Sequence, residues 1–345
     1  MRRPRICVLS GGISGESRAS RISAAAVYGA LAASKYEVVW LDLSAEEEWG
    51  LRSTHPHGLS LSGIGDRDSS ASWQETFVSL APAAGVELVF PVIHGAIGED
   101  GQIQTLCESL SLPYVGCGPD AAITCYDKAA FKRVISTTGL PVARHVPVQR
   151  QLYEDDPTAV AAAVRRQLGY PCIVKPSRGG SSLGLSRVET CEALDPAISL
   201  ALGFGEVALV EQFFAGSDVE MGVLEDGSSV IGSPVEIEYE GDLYDFETKY
   251  AGDRDRRHLP ARIPAPLAGR LTQAARAAFH CTGCCGMARV DFLVDRSTER
   301  FVVNEINTIP YMPERSTFAT SLRHTTGQTY RSLVTSLAQF AWDGR

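Results

Sequence analysis

Near its C-terminal end the chain reads ARVDFLVDRSTERFVVNEINTIP, two apolar strand-like runs joined by a polar turn. Alternation of period two turns Asp291 on one run, and Glu305 and Asn307 on the other, to one face, while apolar neighbours such as Val290, Phe292 and Ile306 enter a core. A solvated strand face is the ordinary explanation for a single Asp or Glu. A strand that offers Glu-x-Asn opposite Asp, and nothing but ligands on that side, favours a metal instead. Hard oxygen donors suit Mg²⁺, which binds through one or two carboxylates and leaves its other positions to water and phosphate oxygens.

Earlier in the chain, YPCIVKPSRGGSSLGLSRV reads as a buried strand ending in Lys175, a Gly/Ser loop and a second strand. Glycines let backbone N–H groups approach phosphate oxygens closely, and Lys175 adds a point charge. Such loops also join ordinary hairpins. The spacing does not match a Walker loop, and no helix starts at Lys175, which argues against a P-loop fold.

With 345 residues and 44% hydrophobic content the chain can bury more than one core. A net charge of −9 argues against general nucleic-acid affinity. No apolar run is long enough to span a membrane, and MRRPRICVLSGG passes straight into a strand, so a cytoplasmic protein without membrane partners is expected. Nine cysteines in this setting predict reduced thiols. Cys281, Cys284 and Cys285 have half the spacing of a zinc site and no second pair, and are expected to be buried or idle.

Along the chain, RICVLSGG, ISAAAVYGALAAS and YEVVWLDL form a βαβ opening. The turn SGGISGES lacks the dinucleotide fingerprint, and Glu16 stands where a pyrophosphate should go. Residues 44 to 72 read as an exposed excursion before the helix WQETFVSLAPAAG. The strand VELVFPVIHG is expected to end at His94, and a helix to open at Gly101 or Gln102. The middle third (a helix from Asp127, a strand GLPVARHVPV, a helix DPTAVAAAVRRQLG, the Lys175 strand, and VALVEQFFAG) predicts an antiparallel sheet with helices on one side.

Seven segments, GGISGES, HGAIGEDGQIQ, YDKAAFKRV, VKPSRGGSSLG, YDFETKY, ARVDF and NEINTIP, resemble in order the motifs of the D-alanine–D-alanine ligase family of the ATP-grasp superfamily. The resemblance covers nearly the whole chain. It implies an ATP-grasp fold of mixed α/β and α+β class with a Rossmann-like N-terminal domain: residues 1–120 as that domain, 121–214 as a central lobe, and 215–345 as a C-terminal lobe carrying the metal site. It implies ATP and two Mg²⁺ ions as cofactors, with Mn²⁺ as an alternative, amino-acid substrates, a homodimer, and a place in peptidoglycan synthesis. Lys128, Lys175 and Ser182 match phosphate-binding positions, Glu211 and Phe214 the adenine contact, and Asp291, Glu305 and Asn307 the metal ligands. Asp218 stands where the family has a ribose-binding Glu, one methylene longer, with Glu220 as an alternative. Glu16 matches the carboxylate that holds the first substrate's ammonium group, Ser181 and Tyr250 the pair bonded to it, and Arg289 the oxyanion donor. His94 lies beside the same pocket. The Lys249–Tyr250 pair resembles ligases that make D-Ala–D-Ala rather than a D-lactate ester.

Departures gather on the acceptor side. The family's NTxPGMT is NTIPYMPERST here, so Tyr311 replaces Gly and Pro313 replaces Thr. Ser316 keeps the serine that binds the second substrate's carboxylate, and Thr317 replaces an apolar neighbour. Tyr126 stands where Met commonly precedes the Asp-Lys pair. A ligase for a different acceptor is the alternative within this class, and a catalytically silent nucleotide-binding module the alternative outside it. The missing fingerprint disfavours an oxidoreductase.

Overall fold

The structure, a computed structural model, describes residues 3–44, 49–53, 72–225, 229–239 and 255–344. Lys249 and Tyr250 lie outside these.

The first unit contains β1 (Arg5–Gly11), α1 (Ser17–Ala33), β2 (Glu37–Leu43), β3 (Trp49–Ser53), α2 (Trp73–Ala83), β4 (Leu88–Pro91) and α3 (Gln102–Ser109). Its sheet runs β3-β2-β1-β4, with β1 parallel to both neighbours and β3 antiparallel to β2. Ile6, Cys7, Val8 and Leu9 are all buried, as a strand covered on both faces requires. The expected excursion is thus partly a strand: residues 49–53 pair along the edge of β2, which would otherwise present unpaired backbone groups. Strand β4 ends at Pro91, and His94 lies in the irregular segment beyond it, just before a turn.

The middle of the chain supplies α4 (Pro119–Tyr126), α5 (Lys128–Thr137), β5 (His145–Gln149), α6 (Arg150–Asp155), α7 (Pro157–Gln167), β6 (Cys172–Pro176), β7 (Ser186–Val188), α8 (Leu194–Leu202) and β8 (Val207–Gln212). The sheet is antiparallel, in the order β5-β8-β6-β7, as the sequence pattern predicts. The strand expected from GLPVARHVPV is confined to its second half. Helix α7 starts where Asp156 accepts a hydrogen bond from the Ala159 N–H at 2.9 Å and Pro157 takes the first helical position.

The remainder forms β9 (Ser217–Glu225), β10 (Ser229–Ile231), β11 (Val235–Tyr239), β12 (Asp255–His258), α9 (Ala265–Cys281), β13 (Met287–Asp295), β14 (Arg300–Asn307), α10 (Thr317–Thr326) and α11 (Tyr330–Asp343). The sheet order is β12-β11-β9-β13-β14, with β10 also paired to β9. Helix α9 buries Leu267, Leu271, Ala274, Ala275, Ala278 and Phe279, one helical face, against Val219, Val290 and Phe292. Phe131 and Ile135 of α5, and Ala121 of α4, join that same core. Helix α11 returns to the first unit, where Leu333, Val334 and Leu337 pack with Ile6, Val8, Leu31 and Phe90.

Candidate active site

The β13–β14 hairpin sets the first part of the site. Its register pairs Arg289 with Asn307 and Asp291 with Glu305, followed by an irregularity between Asp291 and Phe292. On its other edge β13 pairs with β9, placing Glu220 beside Asp291. Three carboxylates therefore lie in one row across three strands, an arrangement that is unfavourable unless cations enter it. Arg289 donates from Nε and Nη2 to the two oxygens of Asp291 at 2.7 and 2.6 Å, and its Nε lies 3.1 Å from Glu220. Lys128 Nζ is 3.3 Å from Glu305, and Asn307 Nδ2 donates to Asp291 at 2.9 Å.

Burial pushes the Asp291 carboxyl up to about 7; Arg289 opposes the shift, while the charges of Glu220 and Glu305 add to it. Among the described residues no three His, Cys, Asp or Glu side chains form a ready cage. The donor set nevertheless fits a hard divalent cation: Asp291 and Glu305 line one cleft, and Asn307, bonded to Asp291, lines the pocket that adjoins it at Glu305, with negative charge left to offset.

The facing wall comes from the middle sheet and its loop. Lys128, Lys175, Gly179 to Ser182, Glu211, Phe214 and Asp218 line the same cleft as Asp291 and Glu305. Asp127 builds this wall: it caps α5 through the Ala129 and Ala130 N–H groups and accepts from Ser177 Oγ at 2.6 Å and Arg178 at 3.1 Å. Lys128 is thereby fixed beside the glycine loop, donating to the Gly179 carbonyl. Glu211 is buried between Lys175 at 3.2 Å and Lys132 at 3.1 Å. Burial alone would raise its pKa, but the two lysines outweigh that and hold it low. Lys132 was not singled out from sequence; its spacing of four from Lys128 on one helix was the available signal. Asp218 accepts from the Tyr239 hydroxyl at 2.7 Å.

A second pocket opens from the cleft at Ser181, Glu220 and Glu305, and continues past Glu16, His94, Arg289, Asn307, Tyr311 and Thr317. Ser181 Oγ donates to Glu16 Oε1. The loop is held tightly there: Ser181 and Ser182 have φ of 53° and 59°, in the left-handed region. A Cβ on Gly180 would stand 2.9 Å from both Glu16 oxygens. Glu99, also missed from sequence although it lies inside HGAIGEDG, accepts from the Gly95 N–H at 2.7 Å. Burial first, and the neighbouring Glu16 charge second, push its carboxyl up to about 8.

His94 uses both ring nitrogens, Nδ1 at 3.0 Å from the Ile309 carbonyl and Nε2 at 3.1 Å from Ser23 Oγ. Burial lowers its pKa to about 4, so the ring is neutral, with Nδ1 donating and Nε2 accepting. Ser23 Oγ also accepts from the Met312 N–H at 3.2 Å, so His94 and Ser23 together hold the segment that carries Tyr311. The Tyr311 ring lies 6.2 Å from the His94 ring. Thr317 donates its hydroxyl to Glu220. Ser316 is placed otherwise: it is buried, caps α10 by accepting from the Ala319 N–H, and does not line the pocket.

A cleft between an antiparallel sheet with a glycine loop and a second sheet with oxygen ligands is the arrangement of an ATP-grasp protein. Family models described as D-ala D-ala ligase N-terminus and C-terminus match residues 5–117 and 134–339. A D-alanine–D-alanine ligase of Deinococcus radiodurans is 37% identical over 346 residues, covering 99% of both chains. One from Chlorobium chlorochromatii is 34% identical over 356 residues, covering 99% of this chain and 98% of the other. Among solved structures, the VanG D-Ala:D-Ser ligase of Enterococcus faecalis aligns with a TM-score of 0.83 at 29% identity, covering 99% of this chain and all of that one. The D-alanine–D-alanine ligase of Coxiella burnetii aligns at 0.81 and 26%, covering 100% and 95%. The chain belongs to the D-alanine–D-alanine ligase family.

Proposed function

We propose that this chain joins two D-alanine molecules at the expense of ATP, giving the dipeptide, ADP and phosphate for peptidoglycan synthesis. The observation that carries this reading is the meeting of the two cavities at Ser181, Glu220 and Glu305. A phosphate held by Lys128, Lys175 and the Gly179 to Ser182 loop then ends beside a carboxylate held in the Glu16 pocket. Glu211 and Phe214 take the adenine end, and Asp218 the ribose. Mg²⁺ ions held by Asp291, Glu305 and Asn307, with Mn²⁺ as a substitute, supply positive charge that lets two anions approach.

Glu16, held by Ser181, orients the first substrate's ammonium group so that its carboxylate faces the γ-phosphorus. Attack breaks the bond between the γ-phosphorus and its bridging oxygen, ADP leaves, and the first amino acid becomes an acylphosphate. The amine of the second amino acid then attacks the acyl carbon and phosphate leaves. Arg289 Nη1 makes no hydrogen bond with any described residue, and it is the donor for the tetrahedral oxyanion, aided by the Tyr311 backbone N–H. Lys249 and Tyr250 belong to the segment that closes over the pocket in this reading. Residues 1–120 carry the first substrate, and 121–214 with 215–345 grip the nucleotide. No described helix is long and apolar enough to cross a membrane; a cytoplasmic homodimer completes the proposal.

Incubation with Mg²⁺-ATP and D- or L-amino acids tests it, read as phosphate release and dipeptide mass. Dipeptide from D-alanine is expected. Nucleotide binding with no dipeptide from any D-amino acid would leave the silent-module reading. A second acceptor remains the competing proposal, because the half-buried Tyr311 ring and the Thr317 side chain both line the pocket.

A further inference from the structure

None of the nine cysteines enters the mechanism, and five of them gather where the end of α4 meets the end of α9. Cys117 precedes α4, Cys125 lies near the end of α4, and Cys281, Cys284 and Cys285 follow one another at the end of α9. All are free thiols, and Cys125 Sγ lies 3.8 Å from Cys284 Sγ. Both residues are buried, at 3% and 5% exposure. Cys125 also forms part of the wall of a small cavity shared with Glu16, Glu99, Lys128, Gly179 and Glu305, which brings a small oxidant to Cys125, with Cys284 directly behind it.

We propose that Cys125 and Cys284 are a reversible disulfide-forming pair that couples the redox state of the cell to the nucleotide site. The reaction partner is a hydroperoxide. The Cys284 thiolate attacks the peroxide oxygen, the O–O bond breaks, and the products are the Cys284 sulfenic acid and an alcohol, or water from hydrogen peroxide. The Cys125 sulfur then attacks the sulfenic sulfur and displaces water. In sum, two thiols and one hydroperoxide give a disulfide, an alcohol and water, with two electrons passing from the sulfurs to the peroxide. The Thr282 hydroxyl, 3.3 Å from Cys284 Sγ, stands beside the attacking atom. The neighbouring Cys117 and Cys125 thiols are the main influence that holds the Cys284 thiol well below the usual range, against its burial.

The coupling runs through backbone. Bonded sulfurs stand about 2 Å apart, so closure requires the two sulfurs to approach by more than an ångström, and that approach draws on the end of α4 and the turn after α9. Asp127 is two residues past Cys125 and ties α5 to Ser177 and Arg178, and Lys128 follows it. A displacement of about 1 Å at positioning groups costs up to roughly 100-fold in rate. In a reducing cytoplasm the pair stays open, and closure marks oxidative conditions.

The test uses the full chain, reduced and then treated with hydrogen peroxide or tert-butyl hydroperoxide. Remaining thiols are blocked and peptides are mapped without reduction. The expected result is a Cys125–Cys284 cross-linked peptide, a roughly 10- to 100-fold fall in kcat/KM for ATP, and recovery with dithiothreitol. Cys284→Ser should keep the untreated activity and resist the oxidant; Cys284→Ala serves if the serine variant folds poorly, and mapping of the unmutated chain needs neither. A disulfide mapped to other cysteines, inactivation that persists in the Cys284 variants, or an unchanged kcat/KM in the cross-linked protein would each overturn the proposal.

Discussion

Arg289 and Asp291, two residues apart on β13, close on each other through a bidentate pair while Glu220 approaches the same guanidinium from β9. The proposed oxyanion donor and the proposed metal ligand thus share one charge balance. A cation taken up at Asp291 would compete with Arg289 for that carboxylate, leaving Glu220 as the anchor of the guanidinium.

Glu305→Gln should nearly abolish turnover with little change in thermal unfolding, because it removes a charge next to Lys128 while preserving shape. Steady-state assays across a Mg²⁺ titration check this. Wild-type activity at saturating Mg²⁺ would remove Glu305 from the metal site.

Gly180→Ala should strike the first-substrate pocket. Its Cβ would meet the Glu16 carboxylate at 2.9 Å from both oxygens, and the adjacent Ser181 bond to Glu16 would be lost or displaced. The expected fall in kcat/KM for the first amino acid is on the order of 10²-fold, with ATP affinity changed less. Equal losses for both substrates would show that the loop, rather than Glu16, was disturbed.

His94 predicts a pH signature in stability. Its folded pKa is depressed to about 4 by burial, against 6.5 when exposed. Between these values the unfolded chain binds the proton and the folded chain does not, so this contribution is complete above pH 6.5 and is lost as pH falls toward 4. The full effect is about 3 kcal/mol. Urea unfolding at pH 7 and pH 5 should show a smaller drop in His94→Gln than in the unmutated chain; parallel drops would mean that the ring is not buried neutral.

Tyr311→Gly should change the acceptor profile more than the affinity for ATP or the first amino acid. The backbone N–H survives the change, and only the ring beside His94 is removed. A steric change of this kind alters selectivity by roughly 10- to 200-fold. KM ratios among D-Ala, D-Ser and bulkier acceptors provide the measure, and an identical profile would show that the ring does not contact the acceptor.

Local pattern made much of this legible. Alternation around Asp291 and Glu305 gave the face and the pairing, and the segment from Asp127 gave the start of α5, whose cap only the structure shows. What stayed hidden depends on contacts between distant segments. Nothing local in Trp49–Ser53 marks it as an edge strand, because its partner β2 supplies the reason. Lys132 and Glu99 become site residues only when Glu211 and Glu16 arrive from elsewhere. Ser316 carries both a capping chemistry and a resemblance to a substrate contact, and its observed hydrogen bond is the cap.

The return of α11 to the first unit has a consequence for how the protein is made. The core around β1, α1 and β4 stays incomplete until residues 330–343 are available, about 240 residues after β4 leaves the ribosome. At typical elongation rates that interval is roughly 12 to 50 seconds. During it the apolar faces of Val27, Leu31 and Phe90 lack their final cover, which makes the nascent N-terminal sheet a natural client for chaperones.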